Sequence, residues 1–176
     1  MRQDDAQTRR APIRTTTLRT MQLERKRIVA VSVYDAIFAR MAEEAGVDVL
    51  LVGDSLGMVV QGAATTLGVT LDEMIYHAKA VVRATSRVHV VVDLPFLTYQ
   101  VSPEQAIESA GRVLKESGAH AIKMEGGRSI AASIRRVVDA GIPVMGHVGL
   151  TPQHVHKFGG FRLQGRSLAE ADAIAE

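Results

Sequence analysis

Three short apolar runs in this chain each end on an acidic residue, and they recur at about the length of one strand plus one helix. The acids are Asp54, Asp93 and Glu125, which lie 39 and 32 residues apart. If the runs are parallel strands, their carboxyl ends share one rim, where α/β folds place ligands and metals. Like charges gathered there repel one another unless a cation or a proton lies between them. The pattern therefore predicts a site at that rim.

The rest of the chain alternates between strand and helix patterns. Strands are predicted over 28–33, 47–52, 88–92, 121–124 and 143–146. Helices are predicted over 36–45, after Thr70, over 103–117 and over 129–140, with a last one that begins after Ser167. Ser102 with Gln105, and Ser167 with Glu170, have the spacing of a capping box. This alternation predicts an α/β fold with a parallel sheet.

Two closures of such a sheet compete, an open doubly wound sheet and a (β/α)₈ barrel of the TIM type. No G-x-G-x-x-G turn follows a strand, whereas acids at successive strand ends are typical of a barrel. A whole barrel takes about 250 residues. We therefore expect the N-terminal portion of a single barrel, about five strand–helix units over 17–176, after a basic, disordered tail over 1–16 and a leader helix over about 15–25.

Composition narrows the function classes. In 176 residues, 47% are hydrophobic, 4% are aromatic and none is cysteine. No apolar run reaches the ~20 residues of a membrane span, few aromatics disfavour single-strand nucleic-acid binding, and the absence of cysteine suits a cytoplasmic protein. The basic residues of the N-terminal segment are Arg2, Arg9, Arg10, Arg14, Arg19, Arg25, Lys26 and Arg27. A targeting peptide or a nucleic-acid-binding arm stays an alternative to the tail, although Asp4 and Asp5 argue against targeting.

A ligand set made of carboxylates alone suits a hard cation such as Mg²⁺. Each of these acids taken singly also fits an ordinary cap or loop residue. Lys123 lies two residues before Glu125, so the two side chains share one face of a strand. Its ammonium would either partner the acids or hold a substrate carboxylate or a developing oxyanion. Ser55 would donate a hydrogen bond to a carboxylate substrate.

Histidines cluster near the end of the fifth predicted strand. His147 ends that strand and is expected to contact substrate or to structure the rim, while His154 and His156 follow in the loop. A zinc site is disfavoured because no third ligand has suitable spacing. Gly159 and Gly160 are expected to permit a tight loop, with phosphate binding as the lesser alternative.

Several long motifs resemble the ketopantoate hydroxymethyltransferase family, over about 17–166. The matching segments are Y-D at 34–35, L-L-V-G-D-S-L-G-M at 50–58, V-V-Q-G at 59–62, T-T-L at 65–67, Y-H at 76–77, D-L-P-F at 93–96, I-K-M-E-G-G at 122–127, P-V-M-G-H-V-G-L-T-P-Q at 143–153 and F-G-G-F-R-L-Q-G-R at 158–166. The chain departs from the family pattern at Gly68, where proline is usual, and at His156, where asparagine is usual.

The resemblance implies a (β/α)₈ barrel, a homo-oligomer and a defined site. Asp54, Asp93 and Glu125 match the Mg²⁺ ligands, and Asp54, Ser55, Asp93 and Lys123 match the positions around the keto acid. The implied reaction moves a one-carbon unit from 5,10-methylenetetrahydrofolate to 3-methyl-2-oxobutanoate, giving 2-dehydropantoate for pantothenate biosynthesis. No nucleic acid or membrane partner is implied.

No residue of this chain matches the family's proton-abstracting glutamate, which is expected beyond Glu176. We therefore name no catalytic base and expect little turnover from these residues alone. Two alternatives stay open at this point. One is another Mg²⁺-dependent α-keto-acid barrel of the phosphonomutase or isocitrate-lyase type. The other is a non-catalytic fragment that binds partner chains.

Overall fold

A computed structural model describes residues 11–176, and its centre is one parallel sheet. The sheet contains β1 (Ala30–Ser32), β2 (Val49–Val52), β3 (His89–Asp93), β4 (Ala121–Glu125) and β5 (Val144–His147). All four neighbouring pairs are parallel. Each observed strand lies within or within one residue of a predicted strand, so the strand predictions are confirmed with small shifts at the ends.

Helices precede, connect and follow the strands. They are α1 (Thr15–Leu23), α2 (Ala36–Glu44), α3 (Leu56–Val59), α4 (Leu71–Ala84), α5 (Pro103–Ser117), α6 (Ala131–Asp139), α7 (Val155–Phe158) and α8 (Leu168–Ala175). Helix α3 interrupts a segment that the sequence pattern indicated as loop. The helix predicted over 129–140 instead begins with a 3₁₀ turn over Gly127–Ile130, and α6 follows it.

The order of the strands in the sheet equals their order in the chain, β1 to β5. A doubly wound sheet reverses its strand order at a switch point, whereas a barrel wall does not. The observed order therefore confirms the barrel-type prediction over five strand–helix units. The register also places Asp93 opposite Lys123 and Glu125 opposite His147, so these four residues meet at one end of the sheet.

The two faces of the sheet pack differently. On one face, side chains such as Leu50, Val90 and Ile122 are fully buried in a large core together with residues of α2, α4, α5 and α6. On the other face, a small cluster of Val49, Val91 and Ala121 contacts Leu18 of α1. The central strands β2, β3 and β4 are mostly buried, as parallel strands covered on both faces are, whereas β1 at the edge of the sheet is exposed.

Helix α1 confirms the predicted leader helix and ends two residues before the expected position. The chain just ahead of it is also part of the fold, because Ile13 is buried and its N–H donates to the Arg87 carbonyl at 2.7 Å. The predicted tail boundary at residue 16 thus lies inside α1. The tail prediction for 1–10 lies outside the described residues.

Local capping signals explain where the longer helices begin and end. Thr70 and Glu73 form a reciprocal capping box at α4, and Ser167 and Glu170 form the predicted one at α8. At α5 the Ser102 hydroxyl accepts from the Gln105 N–H at 3.1 Å. The Gln105 side chain accepts from the N–H of Val101 rather than of Ser102, so the predicted box is only half formed.

No helix within residues 11–176 is both long and apolar enough to cross a membrane.

Two histidines stack at the start of β3 and β4, at the opposite end of these strands from Asp93 and Glu125. The rings of His89 and His120 lie 5.3 Å apart at 23°, and His120 Nδ1 accepts from the Val90 N–H at 2.9 Å. His89 is buried, and its Nδ1 has no hydrogen-bond partner among the described residues. Burial lowers the pKa of both imidazoles, and for His89 the neighbouring His120 lowers it further.

The stacked pair predicts acid-sensitive stability. Folding favours the neutral rings, so their contribution is complete above the ordinary histidine pKa of about 6.5 and is lost as pH falls through the lower folded pKa. We expect the free energy of unfolding, measured with urea and circular dichroism, to fall between pH 7 and pH 5 more steeply for the wild type than for His89→Leu. Parallel profiles for the two proteins would contradict this.

Candidate functional site

The acidic strand ends meet as the sequence predicts. Asp93 and Glu125 are the last residues of β3 and β4, and Asp54 lies two residues after β2. All three residues are at most 3% exposed. Together with Ser55 and Lys123 they form a charged group that we call the strand-end rim.

Lys123 is the cation of this rim. Its Nζ lies 2.6 Å from Asp93 Oδ1 and 3.7 Å from Glu125 Oε1. The predicted role as a partner of the acids is therefore observed. Only the Asp93 contact is short enough for a hydrogen bond, so within the described residues two of the three ammonium donors are left for a ligand.

Asp54 is the least compensated acid of the rim. Its backbone N–H donates to Asp93 Oδ2 at 3.1 Å, and its Oδ2 accepts from Gln153 Nε2 at 2.8 Å. Among the described residues, Oδ1 accepts no hydrogen bond. Burial and, after it, the charge of Asp93 raise the pKa of Asp54 to about 6. Burial also raises the pKa of Asp93, against the opposing effect of Lys123.

Glu125 differs, because both of its oxygens have partners. His147 Nδ1 lies 2.8 Å from Oε1, and the Gln153 N–H donates to Oε2 at 3.1 Å. Burial alone would raise the pKa of Glu125, but the bond to His147, the charge of Lys123 and the Gln153 N–H outweigh it and lower the pKa. Glu125 is therefore held as a carboxylate by the protein itself.

These contacts test how well the rim fits the predicted Mg²⁺. In the part of the chain that the structure describes, no three acidic or histidine side chains form a ready ligand group. The structure thus brings Asp54, Asp93 and Glu125 to one rim without assembling them as three ligands. Asp54 and Asp93 still fit a hard cation, because they repel one another and Mg²⁺ commonly takes only one or two carboxylates, with water and substrate completing its shell.

Ser55 lies next to this carboxylate pair. Its Oγ is 2.9 Å from the hydroxyl of Tyr34, which fixes its direction. His77 Nδ1 in turn lies 2.7 Å from the Tyr34 carbonyl oxygen. A Cβ at Gly53 would lie only 2.8 Å from Ser55 Oγ, so this turn needs glycine.

Two residues that the sequence reasoning missed complete the site. Gln153, in the 3₁₀ turn after β5, contacts both Asp54 and Glu125, and the hydroxyl of Tyr99 accepts from the Glu125 N–H at 3.0 Å. Both are buried. Gln153 stands in the G-L-T-P-Q motif, and the only signal for it was that motif's position after a strand end.

The histidines have separate roles. His147 structures the rim through Glu125, as one of its two predicted roles required, whereas its predicted contact with substrate stays a prediction. His154 Nδ1 lies 2.9 Å from Thr151 Oγ1, and His156 is exposed. Gly159 has a φ of +67° and ends α7, which matches the predicted tight loop.

The arrangement combines an open carboxylate oxygen, a half-buried ammonium and an oriented hydroxyl at one end of a parallel sheet. Such a site can hold a cation and an anionic substrate side by side. The fold and the rim thus define a barrel-type α/β protein with an acidic ligand site at its strand ends.

The family model described as ketopantoate hydroxymethyltransferase matches residues 12–176. The chain belongs to the ketopantoate hydroxymethyltransferase family. It is 56% identical over 164 residues to the 3-methyl-2-oxobutanoate hydroxymethyltransferase of Corynebacterium glutamicum, covering 93% of this chain and 61% of that one. The Moorella thermoacetica relative of the same name is 52% identical over 166 residues, covering 94% of this chain and 62% of that one. The chain thus spans about 60% of the length of these relatives.

Solved structures support the fold. A phosphonopyruvate hydrolase in complex with oxalate and Mg²⁺ is similar with a TM-score of 0.63 and 14% identity, over 90% of this chain and 58% of that one. A 2,3-dimethylmalate lyase of the PEP mutase/isocitrate lyase superfamily is similar with a TM-score of 0.57 and 23% identity, over 74% and 51%. At these identities the likeness concerns the fold, so the alternative of a phosphonomutase-type enzyme gains no functional support.

The raised pKa of Asp54 predicts a stability change. Above pH 6 its charge costs folding free energy, and this cost is relieved as pH falls below 6. Asp54→Asn should therefore stabilise the cation-free protein by about 1–3 kcal/mol at pH 7.5. Thermal melts without and with Mg²⁺ should show that the ion raises the melting temperature of the wild type more than that of the variant.

The control is Asp139→Asn, an exposed aspartate at the end of α6 that pairs with Arg135. It should leave the stability and the Mg²⁺ response within error of the wild type. Equal Mg²⁺ shifts in wild type and Asp54→Asn would remove Asp54 from the cation site.

Proposed function

We propose that this protein transfers a hydroxymethyl unit from 5,10-methylenetetrahydrofolate to 3-methyl-2-oxobutanoate, giving 2-dehydropantoate and tetrahydrofolate. Family membership supports the reaction, because a relative named for this reaction aligns with 93% of this chain. The observation that carries it in the structure is the half-buried ammonium of Lys123 beside the Asp54–Asp93 pair, which suits an anionic keto acid and a cation together.

The cation in this proposal is Mg²⁺. Asp54 and Asp93 would hold it. Glu125 would add negative charge nearby, with its two carboxylate oxygens already paired with His147 and Gln153. The bound ion supplies Lewis-acid polarisation of the substrate's keto group, which acidifies the neighbouring C–H.

The residues of the chain then orient and stabilise the substrate. The Lys123 ammonium, through a donor not used by Asp93, stabilises the negative charge that develops on the keto oxygen when the C–H proton leaves. The Ser55 hydroxyl, directed by Tyr34, donates to the substrate carboxylate. Over the whole reaction the methylene carbon of the folate loses its two C–N bonds and gains a C–C bond to the enolate carbon and a C–O bond to the oxygen of water. The protons released by the substrate C–H and by water end on the two nitrogens of tetrahydrofolate, so the reaction balances without an oxidant or reductant.

None of these residues is assigned as the base. Glu125 is unsuited to the role because its lowered pKa and its contacts stabilise the carboxylate against protonation. A homo-oligomer and a cytoplasmic location belong to the same proposal, and both rest on the family resemblance.

The proposal predicts a loss of catalysis when Lys123 is removed. With the protein expressed from its complete gene, 2-dehydropantoate formation from both substrates and Mg²⁺ should be measurable. Lys123→Met should lower kcat about 10²–10³-fold, the usual cost of one electrostatic stabiliser.

The matched control is Lys115→Met, because Lys115 is exposed at the last turn of α5. It should retain wild-type kcat, and melting curves should verify that both variants fold. Wild-type protein that forms no 2-dehydropantoate would refute the proposed function, and a fully active Lys123→Met would refute the role of Lys123.

A further inference from the structure

Gln153 lies beside the strand-end rim and makes several hydrogen bonds there. It is 4% exposed and lies in the 3₁₀ turn Pro152–His154 after β5. Its Nε2 donates to Asp54 Oδ2 at 2.8 Å and to the Leu94 carbonyl at 2.9 Å. Its backbone N–H donates to Glu125 Oε2. One residue thus bonds two acids of the rim at once.

The opposite end of the amide has two donors facing it. Gln153 Oε1 accepts from the Tyr99 hydroxyl at 2.7 Å and from Gln100 Nε2 at 2.9 Å. The amide therefore makes all four of its hydrogen bonds in one orientation. Rotating it by half a turn would point its oxygen at the Asp54 carboxylate and at the Leu94 carbonyl, which are both acceptors.

Tyr99 favours this orientation of the Gln153 amide. Its hydroxyl accepts from the Glu125 N–H at 3.0 Å and has two acceptors within reach, Gln153 Oε1 at 2.7 Å and the Glu125 carbonyl oxygen at 3.1 Å. The contact to Gln153 Oε1 is the shorter of the two, so the proton favours that acceptor. Burial raises the pKa of Tyr99, so the hydroxyl stays a donor throughout the physiological range. The side chain is fully buried and cannot turn to water.

The fixed Gln153 amide determines which oxygen of Asp54 is left for a ligand. Its Oδ2 is held by the Gln153 amide, while Oδ1 has no partner among residues 11–176 and stays available to a ligand. Partners of this kind fix the direction of a metal-binding carboxylate, and their removal typically costs about 10–100-fold in metal affinity.

We propose that Gln153 is the positioning residue of the cation site, oriented by Tyr99 and Gln100, and that it aims Asp54 Oδ1 at the ion. This inference rests on the proposed function for the identity of the site. It assigns to the loop after β5 a role in metal binding although the loop offers no ligand of its own to the ion.

The test is Mn²⁺ binding without substrate, measured by the loss of the free-ion signal in electron paramagnetic resonance. Gln153→Met keeps the side-chain length but removes both amide ends, and should weaken Mn²⁺ binding at least about tenfold. The matched control is Gln61→Met, since Gln61 also donates to a carboxylate, Glu73 at 2.8 Å, but at the exposed start of α4. The control should bind Mn²⁺ as the wild type does.

Tyr99→Phe tests the same inference without touching Gln153. It removes the donor that orients the amide, so it should also weaken Mn²⁺ binding, by about three- to tenfold, with a melting temperature that shows a folded protein. If Gln153→Met does not fold, Mn²⁺ binding by Tyr99→Phe decides whether Gln153 has the positioning role.

The outcomes separate the two proposals. Wild-type affinity in a folded Gln153→Met or Tyr99→Phe would overturn the positioning role and leave the proposed reaction standing. Weakened binding in both, with an active wild type, would support both. Absence of Mn²⁺ binding by the wild type would overturn the cation site and the positioning role together, whereas 2-dehydropantoate formation would still be judged by its own assay.

Discussion

The site depends on one ion pair, that of the half-buried Lys123 with the buried Asp93. The parallel register of β3 and β4 sets these residues opposite one another, and their atoms lie 2.6 Å apart. Without the ammonium, three buried acids would face each other across neighbouring strand ends, and such charges are tolerated only when paired. With it, Glu125 is compensated and Asp93 partly so, while Asp54 is the least compensated of the three acids. The ion pair thus determines which carboxylate is left for a ligand.

This division of charge explains why the rim is both costly and useful. Glu125 is satisfied by His147, Lys123 and the Gln153 N–H, so it adds negative potential without seeking a proton. Asp54 is buried beside a like charge, and its pKa is raised for that reason. Functional sites are where proteins accept such local conflicts. A cation bound there would relieve this conflict, so the same group that destabilises the cation-free protein suits ligand binding.

Much of this could be predicted from the sequence. The convergence of Asp54, Asp93 and Glu125 follows from strand direction alone, and the pairing of Lys123 with the acids follows from the two-residue period of a strand. Residue patterns did not reveal Gln153, because 99 positions separate it from Asp54 and its amide direction depends on Tyr99 in a different loop. Nor did they show that Glu125 spends both oxygens on protein partners, since that depends on how the turn after β5 folds back over the rim.

The fold and the family point to the same end of the sheet for different reasons. Barrel-type neighbours at 14–23% identity show only the fold, and a fold does not by itself define a function. The family assignment rests on long motifs that surround the rim residues. Specific chemistry therefore has to be argued from the rim itself, and there the open oxygen of Asp54 is the decisive atom.

The most direct measurement is anomalous diffraction from crystals of the protein grown with Mn²⁺ and 3-methyl-2-oxobutanoate. The account predicts one strong anomalous peak within coordination distance of Asp54 Oδ1 and an oxygen of Asp93, with the keto acid reaching Lys123. A peak elsewhere, or none at the rim while the keto acid is bound, would contradict it.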